Sequence, residues 1–353
     1  MIICRTPFRI SFFGGGTDYP VWYRQHGGAV LAAGIDKYCY LTCRYLPPFF
    51  EHRWRIVYRK IETCQTANQI SHPAVRHTLE HLGFERGLEL HHDGDLPARS
   101  GMGSSSAFTV GLLHSLYALR GQMPAKMHLA QESIHIEQNL LSETVGSQDQ
   151  VMAAFGGLRH VQFAKDGNIA VDPLILSSER VRELQSHLLL FYTGIARTSS
   201  DVAQSFVARL DDCKKQLHIM RELVDESIDI LTSGTDIGAF GDLLHEAWQI
   251  KRTFSPHVSN GEIDRLYDHA RSAGALGGKL TGAGGGGFLL LFVPPEKHAT
   301  VREALAHLIH VPFAFESTGS QIIFYEPGVD YQEAEMARQQ RPAAAFRELA
   351  NVS

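Results

Sequence analysis

A chain of 353 residues exceeds the smallest single cores and points to about two domains, and 44% hydrophobic with 20% charged residues is an ordinary globular composition. A formal net charge of −5 leaves no basic footprint, so nucleic acid is not expected as a partner. The five cysteines are scattered without zinc or redox spacing and read as free thiols of a cytoplasmic protein, the nineteen histidines show no paired metal spacing, and no signal-type core or spanning apolar run calls for a membrane.

Residues 1–13 alternate and are rich in Ile and Phe, which predicts a strand running into Gly14-Gly15-Gly16-Thr17-Asp18. A hairpin needs only one or two such residues. Three glycines before Thr-Asp therefore indicate exposed backbone beside Asp18, a place to grip hydroxyl groups, with an Asx-type turn as the alternative. Further strands are expected at 29–45 and 88–92 and a helix over 72–82; the polar stretch 47–71 is left unassigned.

The chain is organised around the next stretch, Pro97-Ala98-Arg99-Ser100-Gly101-Met102-Gly103-Ser104-Ser105-Ser106-Ala107, before the apolar run 108–119 that reads as a buried helix. Free N–H groups and the positive end of a helix dipole make such a loop an anion site. A plain Gly/Ser loop with a serine N-cap is the competing reading. A helix starting at Pro124 runs to about residue 141. On its wheel Glu137 falls beside the apolar stripes rather than on the polar side. A carboxylate there needs neutralising by Mg²⁺ or by an arginine, and the residues alone favour the arginine. Asp149 stands in a Gly/Ser-flanked helix start, where capping alone could account for it.

A composition change at 173–179 marks a boundary and divides the chain into 1–178 and 179–353. Beyond it come a strand at 187–192, the turn Arg197-Thr198-Ser199-Ser200, and helical patterns over 201–231, 237–252 and 262–273. A second glycine run, 277–287, precedes a strand at 288–293, a helix at 295–309 and strands at 313–316 and 321–325, an α+β pattern. The tail from 329 reads as a peripheral helix.

Two familiar nucleotide motifs fail. The stretch 274–280 approximates a P-loop only as far as Lys279, because Leu280 stands where Ser or Thr would be needed, and no Gly-x-Gly-x-x-Gly closes a strand-to-helix turn. Glycine-rich segments spread over the chain, a helix dipole and two well-spaced carboxylates suit phosphoryl transfer instead. In these features the chain resembles the GHMP kinases (galactokinase, homoserine kinase, mevalonate kinase and relatives) over nearly its whole length. The stretch 97–107 is similar to their phosphate loop, with Met102 for Leu and Ser106 for the first Ala. Pro7-Phe8-Arg9-Ile10-Ser11 with residues 14–18 is similar to their N-terminal substrate motif, and residues 279–287 to their C-terminal glycine motif.

The resemblance implies an α+β, two-domain GHMP kinase fold: a ribosomal-protein-S5-like N-terminal domain with a left-handed βαβ unit, and a ferredoxin-like C-terminal domain. It implies ATP held by Gly101, Met102, Gly103, Ser104, Ser105 and Ser106, and Mg²⁺ held by Ser105 and Glu137. Asp149 would be the catalytic aspartate that accepts or orients the proton of the attacking alcohol, and Arg9 a catalytic cation that lowers the alcohol's pKa or steadies the transferred phosphate charge. Gly16, Thr17 and Asp18 would meet the substrate, joined by Gly284 and Gly285 from the second domain. Within the family, residues 12–20, 192–200 and 277–288 are most similar to enzymes that phosphorylate the anomeric hydroxyl of D-glycero-D-manno-heptose 7-phosphate. A substrate that already carries a phosphate needs a second anion site, and Arg197 and Lys279 are expected to hold it, with Lys251 and Arg252 nearby. For Arg197 and Lys251 a solvated helix-end charge is the alternative. Fucokinase-like or galactokinase-like action, or a sugar sensor without catalysis, remain competing functions. The oligomeric state is not legible, with a homodimer left open.

Overall fold

The computed structural model describes residues 1–340 except 99, 196–198, 327 and 329–330. The first half of the chain forms β1 (Ile2–Phe13), α1 (Pro20–His26), β2 (Gly28–Tyr45), β3 (Trp54–Val57), β4 (Ile61–Cys64), α2 (Pro73–His81), β5 (Leu88–Gly94), α3 (Ser104–Leu119), α4 (Lys126–His135), α5 (Gln148–Phe155), β6 (Leu158–Phe163) and β7 (Ile169–Pro173). The second half forms α6 (Ser178–Ser186), β8 (Leu188–Tyr192), α7 (Ser199–Val207), α8 (Lys214–Thr232), α9 (Gly238–Arg252), α10 (Gly261–Ser272), β9 (Gly277–Leu280), β10 (Phe288–Phe292), α11 (His298–Ala304), β11 (Ile309–His310), β12 (Gln321–Tyr325) and α12 (Gln332–Gln340).

The strand β2 is long enough to serve two partners on one edge. Its first residues pair with β6 (Gly28 opposite Phe163) and its last with β5 (Tyr45 opposite Leu88), while β1 runs antiparallel along the other edge. The resulting eight-stranded sheet runs β12-β1-β2-β5-β3-β4, with β6 and β7 continuing from β2. All its pairs are antiparallel except β3 with β5. The helix α3 lies buried against β1 and β2, as its nearly unbroken apolar run requires.

The second sheet has four strands in the order β11-β8-β10-β9, all antiparallel. This is the strand order of a ferredoxin-like βαββαβ unit. Its central strand β10, Phe-Leu-Leu-Leu-Phe, is buried along its whole length, the pattern of a strand covered on both faces.

Local pattern misplaced several elements. The expected helix over 201–231 is two helices, α7 and α8. The expected strand at 313–316 contributes only an isolated bridge from Phe315 to Ile35, and the second sheet ends instead on β11. The strand β12, expected to complete the second unit, pairs antiparallel with β1, and Arg5 Nη2 donates to Gln321 Oε1 at 3.0 Å. The chain thus crosses back to the first sheet after building the second.

The two halves meet where β1 ends. Phe12 and Phe13 contact Phe240 of α9 edge-on, with ring centroids 5.6 and 5.1 Å apart. The two glycine-rich loops lie backbone on backbone. A Cβ at Gly101, whose φ is +80°, would stand 2.6 Å from the Thr281 carbonyl oxygen, and one at Gly282 would stand 2.6 Å from the Gly101 Cα. Only glycine permits that approach.

Candidate active site

A cavity of about 440 Å³ opens at this junction. Its wall takes Arg9 from β1, Gly16 and Asp18 from the turn after β1, residues 103–106 from the start of α3, Asp149 from α5, and Lys251 and Lys279 from α9 and β9.

Gly103 is the N-cap of α3 in the left-handed conformation, φ +74°. Because a glycine occupies that position, no capping side chain closes the first turn, and Ser104, Ser105 and Ser106 bring the positive end of the helix dipole to the cavity. Met102 is fully buried in the core, and its carbonyl accepts the Arg9 N–H at 3.1 Å. It fastens the loop to β1 rather than forming part of the wall.

Arg9 is 4% exposed and grips Asp149 with both arms of its fork, Nε to Oδ1 at 2.8 Å and Nη2 to Oδ2 at 2.7 Å. Its Nη1 donates to the Gly101 carbonyl at 2.7 Å. One guanidinium therefore fixes both a carboxylate and the glycine loop, a geometry that lysine could not reproduce.

Asp18 is buried and accepts the N–H of Gly16 at 3.0 Å and that of Gln148 at 3.4 Å. Burial, and then the charge of Asp149, push its carboxyl above the usual range. Its seat is closed by Gly146, where a Cβ would stand 1.8 Å from Asp18 Oδ2. Thr17 turns inward, its hydroxyl donating to the carbonyls of Gly14 at 2.8 Å and Ala29 at 2.9 Å. It shapes the turn that presents Asp18 and is not part of the wall.

Glu137 lies in a π-helical turn, Ile136–Leu140, that continues α4, and it is 1% exposed. Its Oε2 accepts Ser106 Oγ at 2.9 Å and Gln150 Nε2 at 2.6 Å, while Oε1 is buried without a hydrogen-bond partner. Burial pushes this carboxyl up to about 7. Among the described residues no arginine pairs with it, contrary to what its wheel position favours, and the hydroxyl on it belongs to Ser106, with Ser105 exposed one residue earlier. Nor do the described residues hold a cluster of three His, Cys, Asp or Glu side chains able to cage a metal. An orphaned carboxylate oxygen beside serine hydroxyls at a phosphate-type loop fits Mg²⁺, which takes one or two protein oxygens and completes its shell with phosphate and water.

Lys251 is buried rather than solvated, which settles against the helix-end alternative. Its Nζ donates to the carbonyls of Leu280, at 3.2 Å, and Gly282. Lys279 Nζ donates to the Phe12 carbonyl at 2.8 Å. Arg252 faces elsewhere, 2.9 Å from Asp264. Arg197 lies outside the described residues. Gly284 and Gly285 also fall outside the wall: the Gly285 N–H donates to Val258 O at 2.8 Å, a Cβ on Gly284 would meet that same oxygen at 2.6 Å, and the wall here is formed by Gly282 and Ala283. Sequence reasoning missed Gly146, Gln148 and Gln150. All three belong to the run that holds Asp149, and the amides on either side of that aspartate were the available signal.

Two family descriptions match the chain, GHMP kinases N terminal domain over residues 68–157 and GHMP kinases C terminal over 220–309. The D-glycero-alpha-D-manno-heptose 7-phosphate kinase of Campylobacter jejuni is 28% identical over 328 residues, covering 85% of this chain and 92% of its own. The bifunctional fucokinase/GDP-fucose pyrophosphorylase of Arabidopsis thaliana is 24% identical over 326 residues, 85% of this chain but 30% of its own. In fold, the chain superposes on a D-glycero-D-manno-heptose 1-phosphate kinase from Bacteroides thetaiotaomicron with a TM-score of 0.74 at 23% identity, over 91% of this chain and 98% of that one. Both halves match in order, and the loops they contribute converge on one cavity: the chain belongs to the GHMP kinase family.

Proposed function

We propose that the protein transfers the γ-phosphoryl group of ATP to the anomeric C1 hydroxyl of D-glycero-D-manno-heptose 7-phosphate, giving the 1,7-bisphosphate for GDP-heptose and surface polysaccharide synthesis. The observation that carries this reading is the convergence in one cavity of the α3 start, the Arg9–Asp149 fork and Asp18. An anion cradle, a fixed carboxylate and a hydroxyl grip are what phosphoryl transfer to an alcohol needs.

The loop residues Gly101, Gly103, Ser104, Ser105 and Ser106 receive the ATP phosphates, with Met102 anchoring the loop from the core. Asp149 accepts the proton of the attacking hydroxyl on one of its carboxylate oxygens. Arg9 holds that carboxylate in register, and once Asp149 has taken up the proton the freed guanidinium charge steadies the transferred group. Asp18, backed by Gly16, accepts hydrogen bonds from the sugar. Ser105 and Glu137 would hold Mg²⁺, with Ser106 and Gln150 orienting Glu137; the ion would supply positive charge to offset that of the ATP phosphates. We place the division between the two units at 178/179, at the first turn of α6, with β12 as a return to the first unit. The reaction is assigned to the cytoplasm, in keeping with five free cysteines; among the described residues no helix is long and apolar enough to cross a membrane.

The phosphorylated heptose is favoured by the Campylobacter jejuni relative, and an unphosphorylated sugar by the Arabidopsis thaliana one. Coupled ADP release with heptose 7-phosphate, unphosphorylated heptose, L-fucose and galactose separates them. Heptose 7-phosphate is expected to give the highest kcat/KM. High activity on a neutral sugar with none on the phosphorylated one overturns the assignment.

The seat of Asp18 gives a second expectation. Gly146→Ala drives a methyl group into the Asp18 carboxylate, and a displacement of about 1 Å there is expected to cost roughly 10²-fold in kcat/KM for the sugar. The KM for ATP stays near the parent value. Steady-state kinetics with each substrate varied in turn read the difference, and an equal loss for both substrates would mean that the loop as a whole had moved.

A further inference from the structure

Two ammonium groups in the cavity wall have no part in the transfer step. Lys251 and Lys279 are 6% and 2% exposed, and both line the cavity. Their hydrogen bonds go to backbone carbonyls, of Leu280 and Gly282 for Lys251 and of Phe12 for Lys279. Carbonyls occupy donors without cancelling charge, and each ammonium has three donors.

Among the described residues no carboxylate lies within the 4.0 Å of an ion pair for either lysine. The nearby acids are committed elsewhere: Asp149 to the fork of Arg9, and Asp18 to the N–H groups of Gly16 and Gln148. Two buried amines beside the Arg9 cation hold their protons only at a cost while no counter-charge is present, and the cavity is where one can enter. The position also matters. Lys279 is tied to Phe12, just before the turn that presents Asp18, and Lys251 to Gly282, which packs on Gly101, so the pair spans from the acceptor turn to the edge of the phosphate loop.

We infer that Lys251 and Lys279 form the seat of a phosphate carried by the acceptor itself, remote from the hydroxyl that is phosphorylated, so that the enzyme selects sugar monophosphates over neutral sugars. This rests on the kinase reading above and adds Lys251 as its specificity-determining residue. Burial, and then the charge of Arg9, push Lys251 down to about 7 against the opposing pull of Asp18 and Asp149. Burial, and then the charges of Lys251 and Arg9, push Lys279 well below its ordinary range. A bound dianion reverses that balance, so the lysines take up protons as the sugar phosphate docks.

Calorimetry on the wild-type chain at pH 8, in two buffers of different ionisation heat, tests this without any variant. Heptose 7-phosphate is expected to bind with uptake of about one proton or more, and unphosphorylated heptose with none. In kinetics, Lys251→Met is expected to raise the KM for heptose 7-phosphate by about 10- to 100-fold while leaving the KM for ATP and for the neutral heptose near their parent values. A lysine that only braces the Leu280 and Gly282 carbonyls would shift all three together, and Lys251→Arg would restore part of the selective loss only if charge is what is read. Binding of the sugar phosphate without proton uptake, or a Lys251→Met defect confined to ATP, overturns the seat. If heptose 7-phosphate is turned over with an unchanged KM in Lys251→Met, the seat fails and the proposed reaction stands. If another sugar monophosphate binds with proton uptake and is turned over while heptose 7-phosphate is not, the seat stands and the heptose assignment fails.

Discussion

Replacing Asp149 with asparagine is expected to lower kcat by about 10²- to 10⁴-fold, the span associated with a positioned proton acceptor. The amide keeps the shape of the carboxylate and can still accept one hydrogen bond from Arg9, so the KM values for ATP and sugar are expected to change little. Arg9, 4% exposed, then lacks a full counter-charge, and a stability loss of about 1–3 kcal/mol is expected alongside. Steady-state kinetics and a thermal melt read the two effects separately. Turnover at the parent rate would remove Asp149 from the chemistry and leave it as a partner of Arg9 alone.

Glu137→Gln is expected to raise the stability of the metal-free protein and to lower its activity. The carboxyl stands at about 7 in the fold, pushed up by burial from an ordinary value of 4.5. A group raised in this way contributes stability that is fully present below 4.5 and lost as pH climbs through 7, because the unfolded chain releases the proton first. The loss amounts to roughly 3 kcal/mol. The metal-free wild type should therefore melt at progressively lower temperature from about pH 5 to pH 8. Glutamine, neutral throughout and able to keep the contact with Ser106, removes that slope. At the same time the variant should bind Mg²⁺ about 10- to 100-fold more weakly or worse, since even an outer partner of a metal ligand has that effect. A melting temperature equally steep in pH for both proteins would show that Glu137 does not titrate in this range.

Much of this architecture is written in local pattern. The alternation of residues 1–13, the apolar run after Gly103 and the continuous apolar strand at 288–292 each carry their period, and each forms the element expected of it. The glycine loop around Gly101 was legible because glycine at a tight turn is a local demand, whereas Arg9 and Asp149 gained their roles only through the family resemblance, since a carboxylate at a helix start is equally a cap. What stayed hidden depends on distant partners. Nothing in Gln-Ile-Ile-Phe-Tyr at 321–325 says that it returns to β1, since period fixes which face is buried but not which strand is the neighbour. Glu137 could be seen to face inward, but its companions Ser106 and Gln150 arrive from other elements. Lys251 reads as a helix-end charge, and only the packing of α9 on β9 buries it. Gly284 and Gly285 belong to a run whose purpose is close backbone approach, and sequence does not tell which of its glycines faces the ligand and which faces Val258.

The central claim is that this cavity joins the terminal phosphate of ATP to the anomeric oxygen of a sugar. The most direct measurement is phosphorus NMR of the product formed from heptose 7-phosphate, ATP and Mg²⁺. The account predicts a new glycosyl phosphate resonance coupled to the anomeric proton, with the 7-phosphate resonance retained and ADP formed in equal amount. Phosphate appearing on another hydroxyl, or ADP released with inorganic phosphate and no sugar product, would contradict it.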